Sequence, residues 1–170
     1  GHLPEHPAVR DDILNYYCEV QQFDSECGEV LAALAPQGQL DNTLVVMTSD
    51  NGWQMPRGLA NCYDLGVRIP LAMRWPGHIK AGDVREDYVS IGDLAPTVLG
   101  AAGSTRPSSM TASSLFSSAR RDSMFLERER HANVRKGNLS YPVRGIRTPD
   151  YLYLRNFEPS RWPAGDPEFY

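Results

Sequence analysis

What this sequence lacks narrows it first. There is no basic excess: 17 Lys and Arg stand against 21 Asp and Glu, for a net charge of -4. That balance gives no electrostatic case for nucleic acid or an anionic membrane as partner. No apolar run approaches the roughly 20 residues that span a bilayer, and no internal repeat is visible. Cysteine is scarce. Cys18, Cys27 and Cys62 are an odd number without metal-ligand spacing, and they leave the compartment undecided. The opening Gly1-His2-Leu3-Pro4 has neither an initiator Met nor a signal-peptide pattern, and reads as the middle of something longer.

What is there fits a soluble globular chain. Hydrophobic content of 41% and charged content of 22% suit one modest domain with a real core. Pro7 to Ala35 carries a helical period. Ile13, Tyr16, Tyr17, Val20, Phe23, Cys27, Val30, Leu31 and Leu34 recur at three- and four-residue steps. Asp11, Asp12, Glu19, Glu26 and Glu29 mostly fill the other face, a solvated one, and Gly38 supplies a stop. Cys18 and Cys27 fall in this pattern as small buried apolar residues.

The stretch around which the chain is organised runs from Asp41 to Asn61. Its apolar run, Leu44 to Met47, suits a strand buried on both faces of a parallel sheet. The run stops at Ser49-Asp50-Asn51-Gly52, and function in open α/β sheets sits just beyond such strand ends. Asp50 and Asn51 offer hard oxygen donors suited to Ca²⁺ or Mg²⁺. Asn-Gly is also the commonest turn dipeptide, so the tripeptide alone reads as a tight turn. An EF-hand loop fails, because its twelfth position is Asn61 rather than Glu.

Further along, Ile69 to Trp75 is a second apolar segment, ended by Pro76-Gly77, and Asp83 to Asp87 is polar and exposed. Asp93 is placed to cap a short helix through Leu94, Val98 and Leu99, closed by Gly103. Ser104 to Ser118 is rich in Ser, Thr and Ala and reads as a loop or linker. Met124 to Leu126, Val143 to Thr148 and Tyr151 to Asn156 read as strands, with Thr148-Pro149-Asp150 turning the last two into a hairpin.

Several separated segments then share one resemblance. Leu40-Asp41-Asn42-Thr43 through Ser49-Asp50-Asn51-Gly52, Gly66-Val67-Arg68-Ile69-Pro70-Leu71, Arg74-Trp75-Pro76-Gly77 and Asp93-Leu94-Ala95-Pro96-Thr97 occur in the order and spacing of sulfatases, within the alkaline-phosphatase-like superfamily. Glu129-Arg130-His131 and Tyr141-Pro142-Val143-Arg144-Gly145-Ile146-Arg147-Thr148 look closest to the sulfamidase (heparan N-sulfatase) branch. The resemblance implies an α/β fold: a partial alkaline-phosphatase-like sheet flanked by helices, followed by a small C-terminal antiparallel β subdomain. The expected division is 1-103 for the C-terminal part of the α/β domain, 104-122 for a Ser/Thr-rich linker and 123-170 for the β subdomain.

It also implies hydrolysis of sulfate esters or sulfamates, on a sulfated small molecule or glycan, by a formylglycine beside a bound Ca²⁺. Asp50 and Asn51 match the later pair of the family's Ca²⁺ ligands. Arg57 is the nearest basic residue for the sulfate, although the sulfamidase branch carries its basic residue nearer position 59, here Leu59. His131 is the candidate to protonate a leaving group or bind sulfate, or is merely exposed. Arg144 and Arg147 line a substrate cleft or decorate an edge strand; the edge-strand reading is preferred. None of the three cysteines is followed by the residues that formylglycine formation needs. Ser117-Ser118-Ala119-Arg120-Arg121 fits the expression but follows the Asp-Asn pair, so it reads as chance. The expected nucleophile and the two earlier acidic ligands therefore lie outside this chain. A phosphatase or phosphodiesterase of the same superfamily is disfavoured, since His78 and His131 lack two-metal spacing. An inactive cation- or glycan-binding module is the reading from another class. Family members are often periplasmic, secreted or lysosomal.

Overall fold

The computed structural model describes residues 3–131 and 135–165. They divide into two compact units, one of residues up to Met47 with Ala72–Asp83, the other of Thr48–Leu71 with Val84 onward. In the first unit, helix α1 spans Pro7–Leu34, about 42 Å at 1.5 Å per residue. Proline opens it, where the missing N–H costs nothing, and His6 Nδ1 accepts from the Ala8 amide at 3.2 Å. A single 3-10 turn follows, and Gly38 at φ 65° ends it by returning its N–H to Ala35 O.

The helical period is correct, but its apolar stripe is uncovered in the described structure. No residue of α1 is buried, and Tyr17, Val20, Phe23 and Val30 are all exposed. Cys18 is exposed too, which corrects its expected place in a core. Strand β1, Val45–Thr48, pairs with β2, Leu71–Arg74. All four β1 residues are half-buried, so the strand is not covered on both faces as its composition suggests. A two-stranded sheet leaves each strand one unpaired edge, and composition reports only what a strand can bury. In the same unit Arg74 grips the chain before β1, donating to Leu40 O and to Asp41 at 2.7 and 2.8 Å.

The second unit holds the short helix α2, Asp64–Val67, and the helix α3, Leu94–Ala101. It also holds an antiparallel sheet of β3, Met124–Arg128, β4, Val143–Arg147, and β5, Leu152–Asn156. The order is β3-β4-β5, so β4 is the middle strand; the expected edge placement of Arg144 and Arg147 is wrong. Register puts Leu126 and Leu154 on either side of Gly145, and these leucines pack on the buried Cys62, Tyr141 and Val143. The opposite face carries Phe125 and Tyr153, both exposed, as period-2 alternation requires. The Thr148 amide closes the β4–β5 turn on Tyr151 O at 2.8 Å.

Asp93 stands at the N-cap of α3 as expected, but its side chain makes no cap bond to that helix. Ser90 caps the turn Ile91–Asp93, and Asp93 completes a capping box by accepting from the Ser90 amide at 2.9 Å. Its carboxylate is fully buried, accepts from the Ser113 amide, and takes both ends of the Arg121 guanidinium at 2.5 and 2.8 Å. Thr97 Oγ1, also buried, accepts from the Leu115 amide. These bonds fasten the Ser-rich segment onto α3. In the Asp83–Asp87 stretch, Arg85 and Asp87 are half-buried and paired rather than exposed.

Between Asn51 and α2 the backbone is wound tightly. The Gly52 and Trp53 amides donate to Gly66 O and Leu65 O at 3.1 and 2.8 Å, and Leu59 N–H donates to Trp53 O at 2.8 Å. Gly58 makes this winding possible: a Cβ there would overlap the Trp53 carbonyl and lie 2.9 Å from Met55 O.

Two outcomes follow. Burial alone pushes the Asp93 carboxyl up, but Arg121 and the Ser90 and Ser113 amides outweigh it and leave its pKa below the ordinary value. The unfolded chain thus binds the proton more readily, so this stabilisation is complete above about pH 4 and is lost as pH falls through the lowered folded value. Arg121→Ala leaves a buried unpaired carboxylate and should cost about 3 kcal/mol in urea unfolding at pH 7, with a smaller loss near pH 3. Gly58→Ala should lower the melting temperature and release the Leu59 amide to hydrogen exchange, whereas alanine at the open Gly28 should not.

Candidate functional site

Asp50 and Asn51 follow β1 directly. Asp50 is exposed, so its carboxylate is reachable from solvent without a desolvation cost. Asn51 is half-buried; its Nδ2 donates to Gly52 O at 2.8 Å, which leaves the side-chain oxygen as the acceptor end. Ser49 Oγ donates to Asn51 O at 2.9 Å. The pair therefore presents one carboxylate and one amide oxygen from a backbone pinned on both sides, in place of a loose turn.

A hard divalent cation fits these donors in kind. It does not find a full ligand set in them, because among the described residues no group of three or more His, Cys, Asp or Glu could hold a metal ion. Two oxygens are a minority of the six to eight that Ca²⁺ takes.

Arg57 lies on the same wound loop, exposed, at φ 67°, and Ala60 follows at φ 64°. Two non-glycine residues in the left-handed region cost about 1 to 3 kcal/mol each, so the surrounding bonds must hold the loop in shape. His131 is elsewhere, exposed just beyond β3. Its neighbours are engaged: Glu129 pairs with Arg144, and Arg130 donates to Asn138. The structure thus gathers Asp50, Asn51 and Arg57 on one loop and sets His131 on a separate element.

Sequence reasoning missed what holds that loop. Arg128 Nη1, from β3, donates to Ala60 O. Cys62 is buried with Tyr141 and Val143. Arg147, at the end of β4, takes both oxygens of Asp64, the first residue of α2, at 2.9 and 3.1 Å. Strand alternation could have found Arg147, since residues 143, 145 and 147 share one face and the first two are buried. Burial pushes the Cys62 thiol pKa up, with Arg128 and Arg144 only partly offsetting it. Its nucleophilic thiolate is therefore disfavoured, and Cys62 is a packing residue.

A cavity of about 880 Å³ is lined by Asp64 and Arg147 together with Arg68, Asp87, Leu94 and Leu126. Asp50, Asn51, Arg57 and His131 do not line it. It is a separate feature from the oxygen-donor pair.

The family model Sulfatase matches residues 4–104, more than half of the chain. Human N-sulphoglucosamine sulphohydrolase is 44% identical over 98 residues, covering 57% of this chain and 20% of that protein. An ulvan-active sulfatase of Formosa agariphila is 27% identical over 164 residues, covering 94% of this chain and 26% of that one. A solved structure in complex with its substrate, D-glucosamine-2-N,6-O-disulfate, superposes with a TM-score of 0.67 at 27% identity, covering 82% of this chain and 32% of its own. The chain spans between a fifth and a third of the length of these relatives. With an α/β fold, the Asp50-Asn51 pair after β1 and a family match across residues 4–104, the chain belongs to the sulfatase family.

Proposed function

We propose that this chain furnishes the Asp-Asn half of the catalytic domain of a sulfatase acting on sulfate esters or sulfamates of sugars. The observation that carries this reading is the position of Asp50 and Asn51 within the family match, exposed and half-buried, on a pinned loop after β1. The substrate class draws on the relatives, which are named for N-sulphoglucosamine and ulvan, and on the disulfated glucosamine of the solved structure. The division at residue 103 is proposed as well, supported by a family match that ends at residue 104.

In this reading Asp50 and the Asn51 side-chain oxygen are two ligands of Ca²⁺, and a formylglycine nucleophile comes from sulfatase sequence outside the 170 residues. When bound, the cation would neutralise sulfate oxygens and favour a deprotonated nucleophile. The residues of this chain do the rest by position. Arg57 offers a guanidinium to an anionic sulfate oxygen. His131, when protonated, gives a proton to the departing sugar oxygen or nitrogen. The bonds at Asn51, Gly52 and Trp53 hold the backbone beside the pair, which lowers the ordering entropy to be lost on binding.

Steady-state hydrolysis of a chromogenic aryl sulfate and of an N-sulfated glucosamine tests this. The 170-residue chain alone should show no turnover above buffer. Complemented with the remaining portion of a relative such as human N-sulphoglucosamine sulphohydrolase, it should turn over. Asp50→Ala should then cost roughly 10³-fold, as expected for loss of metal-borne charge stabilisation. His131→Ala should cost roughly 10²-fold, and Arg57→Ala less. An undiminished rate in Asp50→Ala would remove the metal assignment, and turnover by the chain alone would remove the external nucleophile.

A further inference from the structure

We propose that Arg147 is a positioning residue for the Asp50-Asn51 pair, acting through Asp64; its role toward a cation rests on the sulfatase reading above. The connection can be followed atom by atom. Arg147 Nε and Nη2 donate to the two carboxylate oxygens of Asp64 at 2.9 and 3.1 Å. Such a two-point contact fixes orientation as well as distance. Asp64 opens α2, and the carbonyls of the next two residues, Leu65 and Gly66, accept from Trp53 and Gly52. Those two amides come directly after Asn51. Any swing of Asp64 must therefore bend or break the bonds that aim the pair.

Arg147 is a firm point of attachment. It ends the middle strand of the sheet, in register with Met124 on β3 and Leu152 on β5, and its Nη1 also donates to Thr148 O. Two further tethers, Arg128 to Ala60 and the buried Cys62, hold the segment just before α2. The Asp64 contact acts on the first residue of α2, and the carbonyls of the next two residues meet the amides of residues 52 and 53.

The effect should be local. The side chains of Arg147 and Asp64 are 26% and 47% exposed, and ion pairs of that exposure contribute little to overall stability. A merely structural pair would change global unfolding or nothing; a positioning pair changes the loop and leaves the fold. Lysine separates charge from geometry, since an ammonium is a point charge without the planar fork.

Amide hydrogen exchange on the 170-residue chain reads this directly. Arg147→Ala, and separately Asp64→Asn, should speed exchange at Gly52 and Trp53 at least tenfold while changing α3 and β5 amides less than twofold. Arg147→Lys should recover only part of the protection. Tb³⁺ binding, followed by calorimetry, supplies a second readout: its affinity should fall at least threefold in Arg147→Ala and collapse in Asp50→Ala. Unchanged protection at residues 52 and 53, or a uniform rise in exchange across the unit, overturns the proposal. If Asp50→Ala leaves Tb³⁺ affinity intact, the cation reading fails, and the exchange data still decide whether Arg147 positions the segment.

Discussion

Two hydrogen bonds, from the Gly52 and Trp53 amides to the Gly66 and Leu65 carbonyls, fix the path of the backbone that follows Asp50 and Asn51. Without them Asp50-Asn51-Gly52 would be what its composition suggests, an exposed turn free to sample many shapes. With them the chain returns on itself within fifteen residues and anchors to a helix turn whose first residue is held by the β sheet. A loop that crosses the left-handed region at Arg57 and Ala60 would not keep this path unaided. Gly58 admits the close approach of Trp53 O, and Arg128, Cys62 and Arg147 supply the outside support. The C-terminal sheet is thus more than an appendage to the α/β part. It is the frame against which the donor pair is set.

The same division of labour appears around Asp93. A buried carboxylate is costly unless every lone pair is used, and here two amides and a guanidinium use them. Arg121, the last residue of the Ser-x-Ala-x-Arg sequence, is committed to that carboxylate. Its engagement gives the segment a structural task, beside the family context that already set it apart from formylglycine formation.

Much of the fold was legible because local patterns decided it. The period of α1, the helix at Leu94–Ala101 and the β4–β5 hairpin follow from apolar spacing and turn chemistry, and they stand within a few residues of the expected ends. What sequence could not supply were pairings between distant segments. Arg147 meets Asp64 across 83 positions, and Arg128 meets Ala60 across 68; neither contact leaves a periodic trace. Burial was misjudged for a related reason. The stripe on α1 shows which face could be covered, not that anything covers it, and Leu44 to Met47 shows only a capacity for burial on both faces. Asp50 and Asn51 were singled out through family resemblance, since an Asn-Gly turn has the same spelling, and their role rests on the proposal.

The central claim is that Asp50 and Asn51 present two oxygens to one hard cation. Anomalous scattering from a crystal of this chain soaked in Tb³⁺ locates such an ion without reference to activity. The account predicts a peak within about 2.6 Å of an Asp50 carboxylate oxygen and of the Asn51 side-chain oxygen, with water completing its shell. A fully occupied peak elsewhere, with none between these two residues at millimolar Tb³⁺, would contradict it.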